Sequence, residues 1–398
     1  MTTVVSILVS DLVPLRSRGT WQGVLNIVFA TGSATGAPLG GLLADTIGWR
    51  WAFLIQVPAT MLAIIVVILC LNLPATSEPQ QTSAATTFKT RLARVDFMGA
   101  GVLILAVLSL LIECDQLSNY ALQSTRVIVP LLAAIAFFSA FAYTESAVAA
   151  EPFAPPHIVR ERTILASCLA NFFSFAAYMM LLFFLPLYFQ AADGLSASEA
   201  GVRLLPAIAG AVAGSLSGGI IMQKTGKYYW LTVMAYSLPI SGSLIVLAST
   251  FMAPGHAYSL GITAGIAMTA FGNGIGVTTT LIAVIAAAGA VDQAVATAVS
   301  YLFRALGTVS GLAVGSMLVQ KHLRAALVRR LGQGDVADEI VRGVRGSLEY
   351  IGTLPKDIQA IVRACYKESV QVAYMFSVVL AVGALISASF LKERRLGR

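Results

Sequence analysis

The 398-residue chain is 57% hydrophobic and only 11% charged, where soluble domains carry about 25% charged residues. This balance excludes a water-soluble globular domain and points to lipid as the solvent. The net charge of +7 does not indicate a nucleic-acid partner, because the basic residues lie scattered between apolar runs with no aromatic-interleaved groove or recognition motif.

A helix needs about 20 apolar residues to cross a bilayer. Residues 1–10 are apolar but too short to cross, so they read as the second half of a span. They are not a signal peptide, since no basic n-region or small-residue cleavage site accompanies them. Complete spans are then expected at 20–44, 51–73, 97–114, 126–145, 163–190, 198–222, 229–250, 257–286, 298–320 and 370–391, ten in all. Unbroken stretches such as AIIVVILCL, without residue-by-residue alternation, exclude a transmembrane β-barrel. The expected fold class is an all-α integral membrane protein.

Lys and Arg mark the cytoplasmic side of short loops. They collect at Arg16, Arg18, Lys89, Arg91, Arg94, Arg160, Arg162, Lys224, Lys227 and in the tail at Lys392, Arg394, Arg395 and Arg398. Residues 74–96, rich in Pro, Ser, Thr and Gln, read as a cytoplasmic linker, and 146–162 as a cytoplasmic loop. Segment 321–369 breaks the rule with nine basic and six acidic residues on the opposite side. Ile340, Val344, Leu348 and Ile351 recur there at helical spacing, which predicts an amphipathic helix capping the bundle or lying on the membrane.

Cys70, Cys114, Cys168 and Cys365 have no paired spacing, and His157, His256 and His322 lie in different segments. Neither pattern supports a metal site or a disulfide framework, and no cofactor is expected. The chain has no phosphate-binding loop, no HExxH motif and no paired acid and base within a span, so it does not read as an enzyme.

Three spans carry glycine at four-residue intervals: Gly32, Gly36 and Gly40; Gly210, Gly214 and Gly218; Gly307, Gly311 and Gly315. Each triplet lies on one helix face and allows close backbone approach. Static packing is one reading of them, and seams along which two bundles rock is the other. A second pattern repeats at two helix exits, GGLLADTIGWRW (40–51) and GGIIMQKTGKYYW (218–230). Both have paired glycines, a third glycine seven residues on, and then aromatic and basic residues, giving a loop motif of Asp45, Gly48, Arg50, Gly226 and Lys227. Repetition of this kind suggests an internal structural repeat.

SDLVPLRSRGTWQG (10–23), the pattern Gly23, Gly32, Gly36, Pro38, Gly40 and Gly41, GWRWAFLIQVP (48–58) and AGVRLLP (200–206) together resemble the major facilitator superfamily. Within it they resemble the fourteen-span drug:proton antiporters and the fungal vacuolar basic amino acid transporters. The family's antiporter motif usually has proline directly after its first glycine, whereas here Ala37 intervenes between Gly36 and Pro38. The resemblance implies an incomplete N-terminal helix bundle and a complete six-helix C-terminal bundle. Residues 1–73 would be the remnant of the first, 97–145 two linker spans, 163–391 the second, and 392–398 a cytoplasmic tail.

The resemblance implies that the stripe at 32–40 faces the stripe at 210–218, and that the stripe at 307–315 faces a helix outside this chain. It places cavity-lining helices at 163–190 and 257–286, making Asn171, Ser174, Tyr178, Asn273 and Thr278 candidate substrate contacts. Each of these would equally serve as a bond to a neighbouring helix, the favoured reading for Ser174 and Thr278. No carboxylate or histidine stands at mid-span. Asp45, Asp96, Glu113, Asp115, Asp292, Arg203 and Arg304 all fall within a turn or two of an expected span end, where a structural role is expected. The resemblance thus implies a proton-coupled transporter of basic amino acids or amphipathic drugs, in the vacuolar or the plasma membrane, with protons and lipid as further partners. The alternative is a truncated, non-transporting paralogue or an incomplete gene model, with a second polypeptide supplying further helices.

Overall fold

The computed structural model describes residues 5, 6, 8, 9, 13, 15–70, 96–120, 123–149, 152–253, 255–332, 335–346 and 348–394, and the backbone alone at some positions inside these stretches. Of the linker expected at 74–96, residues 74–95 lie outside the described residues, and so does the end of the tail. Two compact units result, residues 27–95 and residues 1–26 with 96–398.

The division falls inside α1 (Leu15–Thr46). In the smaller unit α1 ends before α2 (Trp49–Leu54) and α3 (Gln56–Cys70), so the span expected at 51–73 is broken at Ile55. Every described side chain of α3 is exposed, Ile64, Val67 and Leu69 among them, a surface suited to lipid.

In the larger unit the expected spans appear as α4 (Phe97–Asn119), α5 (Thr125–Tyr143), α7 (Arg162–Ala191), α9 (Leu205–Thr225), α10 (Tyr229–Thr250) and α15 (Lys356–Ser389). A 76-residue helical run, His256–Leu331, is divided by Gly289 into α11 (His256–Gly289) and α12 (Val291–Leu331). Two short helices, α6 (Pro156–Val159) and α8 (Ala197–Val202), lead into α7 and α9. Among the described residues eight helices are long and apolar enough to cross a membrane.

Small residues set the arrangement of these helices. A side chain built at Gly242 on α10 would meet the Gly265 carbonyl of α11 at 2.6 Å, and one at Gly272 the Ala235 carbonyl at 2.6 Å. Backbones therefore touch directly, which substitutes for the hydrophobic effect that lipid removes. α11 is the most enclosed of the eight helices.

Where the sequence predicts one amphipathic helix through Ile340, Val344, Leu348 and Ile351, two helices stand, and Leu348 lies between them. α13 (Asp335–Gly346) and α14 (Glu349–Thr353) bury Ile340, Val344 and Ile351 against Leu323, Leu327, Val362 and Tyr366. The Tyr366 hydroxyl donates to the Val344 carbonyl at 2.7 Å, and Arg345 donates to Gln320 Oε1 and Asn119 Oδ1, both at 2.8 Å. Burial, followed by the neighbouring Arg324, pushes the Arg345 guanidinium down from its ordinary range.

Candidate functional site

The repeated helix exits share a backbone task. Gly48 has φ 95° and precedes α2, and Gly226 has φ 67° and terminates α9. Both lie in the left-handed region that favours glycine. The spacing in GGLLADTIGWRW and GGIIMQKTGKYYW therefore fixes where each chain turns out of its helix. The side chain of Asp45 is outside those described, and so are the surroundings of Gly36, Pro38, Gly40 and Gly41.

The expected pairing of the stripe at 32–40 with that at 210–218 is left open, since the surroundings of Gly36 and Gly40 lie outside those described and 32–40 belongs to the other compact unit. Gly210, Gly214 and Gly218 turn toward Ala267, Phe271 and Ile275 of α11. The neighbouring face of α9 meets the start of α1 instead: side chains built at Gly19 would touch Met222 and Gly219, and one at Gly23 would touch Leu216. Asn26 Nδ2 donates to Ser215 Oγ at 2.6 Å, and Ser215 Oγ lies 2.8 Å from Thr278 Oγ1, so a polar chain crosses from α1 through α9 to α11. α9 is small on several faces, and periodicity alone does not say which face meets which helix.

The third stripe was expected to face a helix outside this chain, and its described contacts differ. Gly307, Gly311 and Gly315 of α12 pack against Phe172, Ala176 and Met180 of α7, inside the same unit.

Four of the expected contact residues are joined in pairs or networks across helices. Asn171 on α7 donates to Ser300 Oγ of α12 at 3.1 Å; its Oδ1 accepts from Thr280 of α11 at 3.2 Å and from Tyr236 of α10 at 3.4 Å. Ser174 donates to Asn273 Oδ1 at 2.7 Å, and Thr278 pairs with Ser215. All of them are buried. Tyr178 is buried too, but in an apolar cluster with Met180, Leu181 and Tyr374.

Arg304 is the residue sequence reasoning misplaced. α12 extends seven residues before the expected span at 298–320, so Arg304 stands thirteen residues after Val291, about 20 Å along the axis. Its guanidinium lies 4.8 Å from the ring centre of Phe175 and 4.6 Å from that of Tyr301, while Nε and Nη2 are buried without a hydrogen-bond partner. The available signal was a single arginine in AVATAVSYLFRALGTVSGLAVGS, and the error lay in the helix boundary. On its other side, Tyr301 pairs with Ser6 at 2.7 Å, and Arg18 donates to Gln293 at 2.7 Å, joining residues 1–26 to α12. Arg203, by contrast, stands at a helix end over the Phe189 ring, 4.9 Å from its centre.

At the opposite helix ends the tail is tied down. Arg394 reaches Glu161 at 3.3 Å and the Ala287 carbonyl at 3.1 Å, and the Tyr228 hydroxyl donates to the Lys392 carbonyl at 2.8 Å. The Tyr258 hydroxyl donates to Asp193 just beyond α7.

Among the described residues, eight membrane-long helices enclose Asn171, Ser174, Asn273, Thr278 and Arg304, and this arrangement defines a polytopic helical membrane protein. The sequence model of the Major Facilitator Superfamily matches residues 1–312, and the chain belongs to that superfamily. It is 36% identical over 397 residues to "Vacuolar membrane amino acid uptake transporter fnx2" of Schizosaccharomyces pombe, covering 100% of this chain and 67% of that protein. It is 36% identical over 366 residues to "Multidrug resistance protein fnx1" of the same organism, covering 92% of this chain and 67% of that protein. A third relative, "Vacuolar basic amino acid transporter 2" of Saccharomyces cerevisiae, is 30% identical over 394 residues, covering 96% of this chain and 81% of the relative. The first two relatives are thus matched over about two thirds of their own length.

Proposed function

We propose that the chain carries basic amino acids across the vacuolar membrane by alternating access, coupled to protons. The observation that carries this reading is similarity, over the whole of this chain and 67% of the relative, to a vacuolar amino acid uptake transporter, joined by similarity to a vacuolar basic amino acid transporter. The close backbone approach of Gly19 to Gly219 and of Gly23 to Leu216 supports a seam between α1 and α9, because a glycine on one side lets the two helices touch along their backbones. Asn171, Ser174, Asn273 and Thr278 serve in this reading as the fixed polar wall of the pathway, and Tyr178 as part of its apolar lining. Amphipathic drugs are the second substrate class, favoured by the similarity to a multidrug resistance protein.

Sealed vacuolar vesicles or proteoliposomes containing the chain test the reading. Expected is uptake of lysine, arginine and histidine that is driven by an imposed pH gradient and collapses with nigericin. Uptake no greater than in protein-free liposomes would overturn it, and uptake insensitive to nigericin would remove the proton coupling alone.

A further inference from the structure

α7 and α12 share a seam on which unpartnered polar atoms concentrate. Nine buried side-chain nitrogen or oxygen atoms lack a partner among the described residues, and five of them belong to this pair of helices' facing stripes: Thr163 Oγ1, Ser167 Oγ, Thr297 Oγ1, and Nε and Nη2 of Arg304. The register is fixed at two points, by the Asn171–Ser300 hydrogen bond and by Arg304 over Phe175. Thr297, Ser300 and Arg304 follow at i, i+3 and i+7 on one face of α12, and Thr163, Ser167, Asn171 and Phe175 at four-residue steps on one face of α7. Helical Ser and Thr normally donate to the carbonyl four residues back. Thr163, Ser167 and Thr297 have no such partner, although Ser249, Thr269 and Thr308 elsewhere in the bundle do.

An intramembrane arginine with unmet donors costs several kcal/mol unless something anionic meets it. The planar N–H fork of guanidinium matches the two oxygens of a carboxylate. The rings of Phe175 and Tyr301 stand beside the guanidinium and help hold it in place, while Nε and Nη2 keep donors that no described residue meets.

We propose that Arg304 is a carboxylate-binding site, and that it takes the α-carboxylate of an amino acid substrate while the unpartnered hydroxyls of Ser167 and Thr297 accept from the α-ammonium group. This rests on the reading of the chain as an amino acid transporter and adds the group that would recognise what all amino acids share. Ser6 pairs with Tyr301, one of the two rings beside the guanidinium. A carboxylate from another protein segment has the same chemistry and is the competing source.

Purified full-length chain in detergent micelles distinguishes them by ligand-induced thermal shift, with lysine, lysine methyl ester and cadaverine as probes and leucine and glutamate alongside. Expected is binding of lysine about 10- to 100-fold tighter than of the ester or cadaverine, the usual discrimination of a charge-assisted bidentate contact. Arg304→Gln should erase that preference, and Arg304→Lys should restore part of it. Arg304→Gln weakening lysine and cadaverine equally would assign Arg304 to a protein carboxylate and overturn the proposal. So would a native protein that prefers no carboxylate-bearing probe, an outcome readable even where neither variant folds. Arg304-dependent binding of leucine without lysine would keep this proposal and remove the basic-substrate reading.

Discussion

Gly311→Ala isolates the close approach of α12 to α7. A Cβ at Gly311 would stand 2.5 Å from both Cα and the carbonyl oxygen of Ala176 and 2.8 Å from its carbonyl carbon. Ordinary carbon contacts lie at about 3.5–4.0 Å, so the backbones must part by about 1 Å. None of the atoms met is a flexible side-chain end that moves aside. Overpacking of this kind costs about 1–3 kcal/mol, and the better helix propensity of alanine returns about 1 kcal/mol. Because the atoms met are backbone, the upper part of that cost applies, about 2–3 kcal/mol, and the net loss of about 1–2 kcal/mol corresponds to a melting midpoint lowered by roughly 2–8 °C, scaled from soluble domains. Gly101→Ala on α4 is the control, since nothing lies within 4 Å of its added Cβ; it should leave the midpoint unchanged or raise it slightly. Fluorescence-detected size exclusion after heating, on detergent-solubilised membranes, measures both. Equal midpoints for the two variants would refute the close contact.

Asn171→Leu removes the group shared by Ser300, Thr280 and Tyr236; a loss of about 1–3 kcal/mol is expected at the modest strength of intramembrane hydrogen bonds, read as a lower midpoint in the same assay. Val344→Asp places a carboxylate in the apolar contact of α13 with Leu323 and Tyr366, so trypsin should cut between residues 329 and 345 at least tenfold faster, by the cost of burying an unpaired charge. Ser215→Ala breaks the link from Asn26 to Thr278 and should lower the midpoint by no more than roughly 5 °C, because two weak bonds are lost. Tyr258→Phe strips Asp193 of its donor and should destabilise by about 1–3 kcal/mol, again visible as a lower melting midpoint.

Much of the fold was legible because hydrophobic runs report directly on the solvent. The stretches of α4, α5, α7, α9, α10, α11, α12 and α15 were all marked by runs long enough for a bilayer. Their ends were less legible: α12 starts at Val291 although Asp292 and Gln293 read as loop, because Arg18 and His157 engage those two residues. The cap was legible too, since Ile340, Val344 and Ile351 repeat at helical spacing among charges. Asn171, Ser174, Asn273 and Thr278 stood out as polar residues in apolar runs, but their partners Ser300, Tyr236 and Ser215 lie up to 129 positions away in the chain. No local pattern pairs them.

The sequence by itself determined the solvent, the helical class, the positions of the spans and the family, because each depends on composition or on residues close together in the chain. Only the tertiary structure decided that Gly210, Gly214 and Gly218 face α11 while Gly19 and Gly23 meet α9, and that Arg304 lies deep in α12 with two donors unmet. Helical periodicity states which residues share a face. Which neighbour that face meets is settled by the competition of all faces for close packing, and that competition exists only once the helices are together.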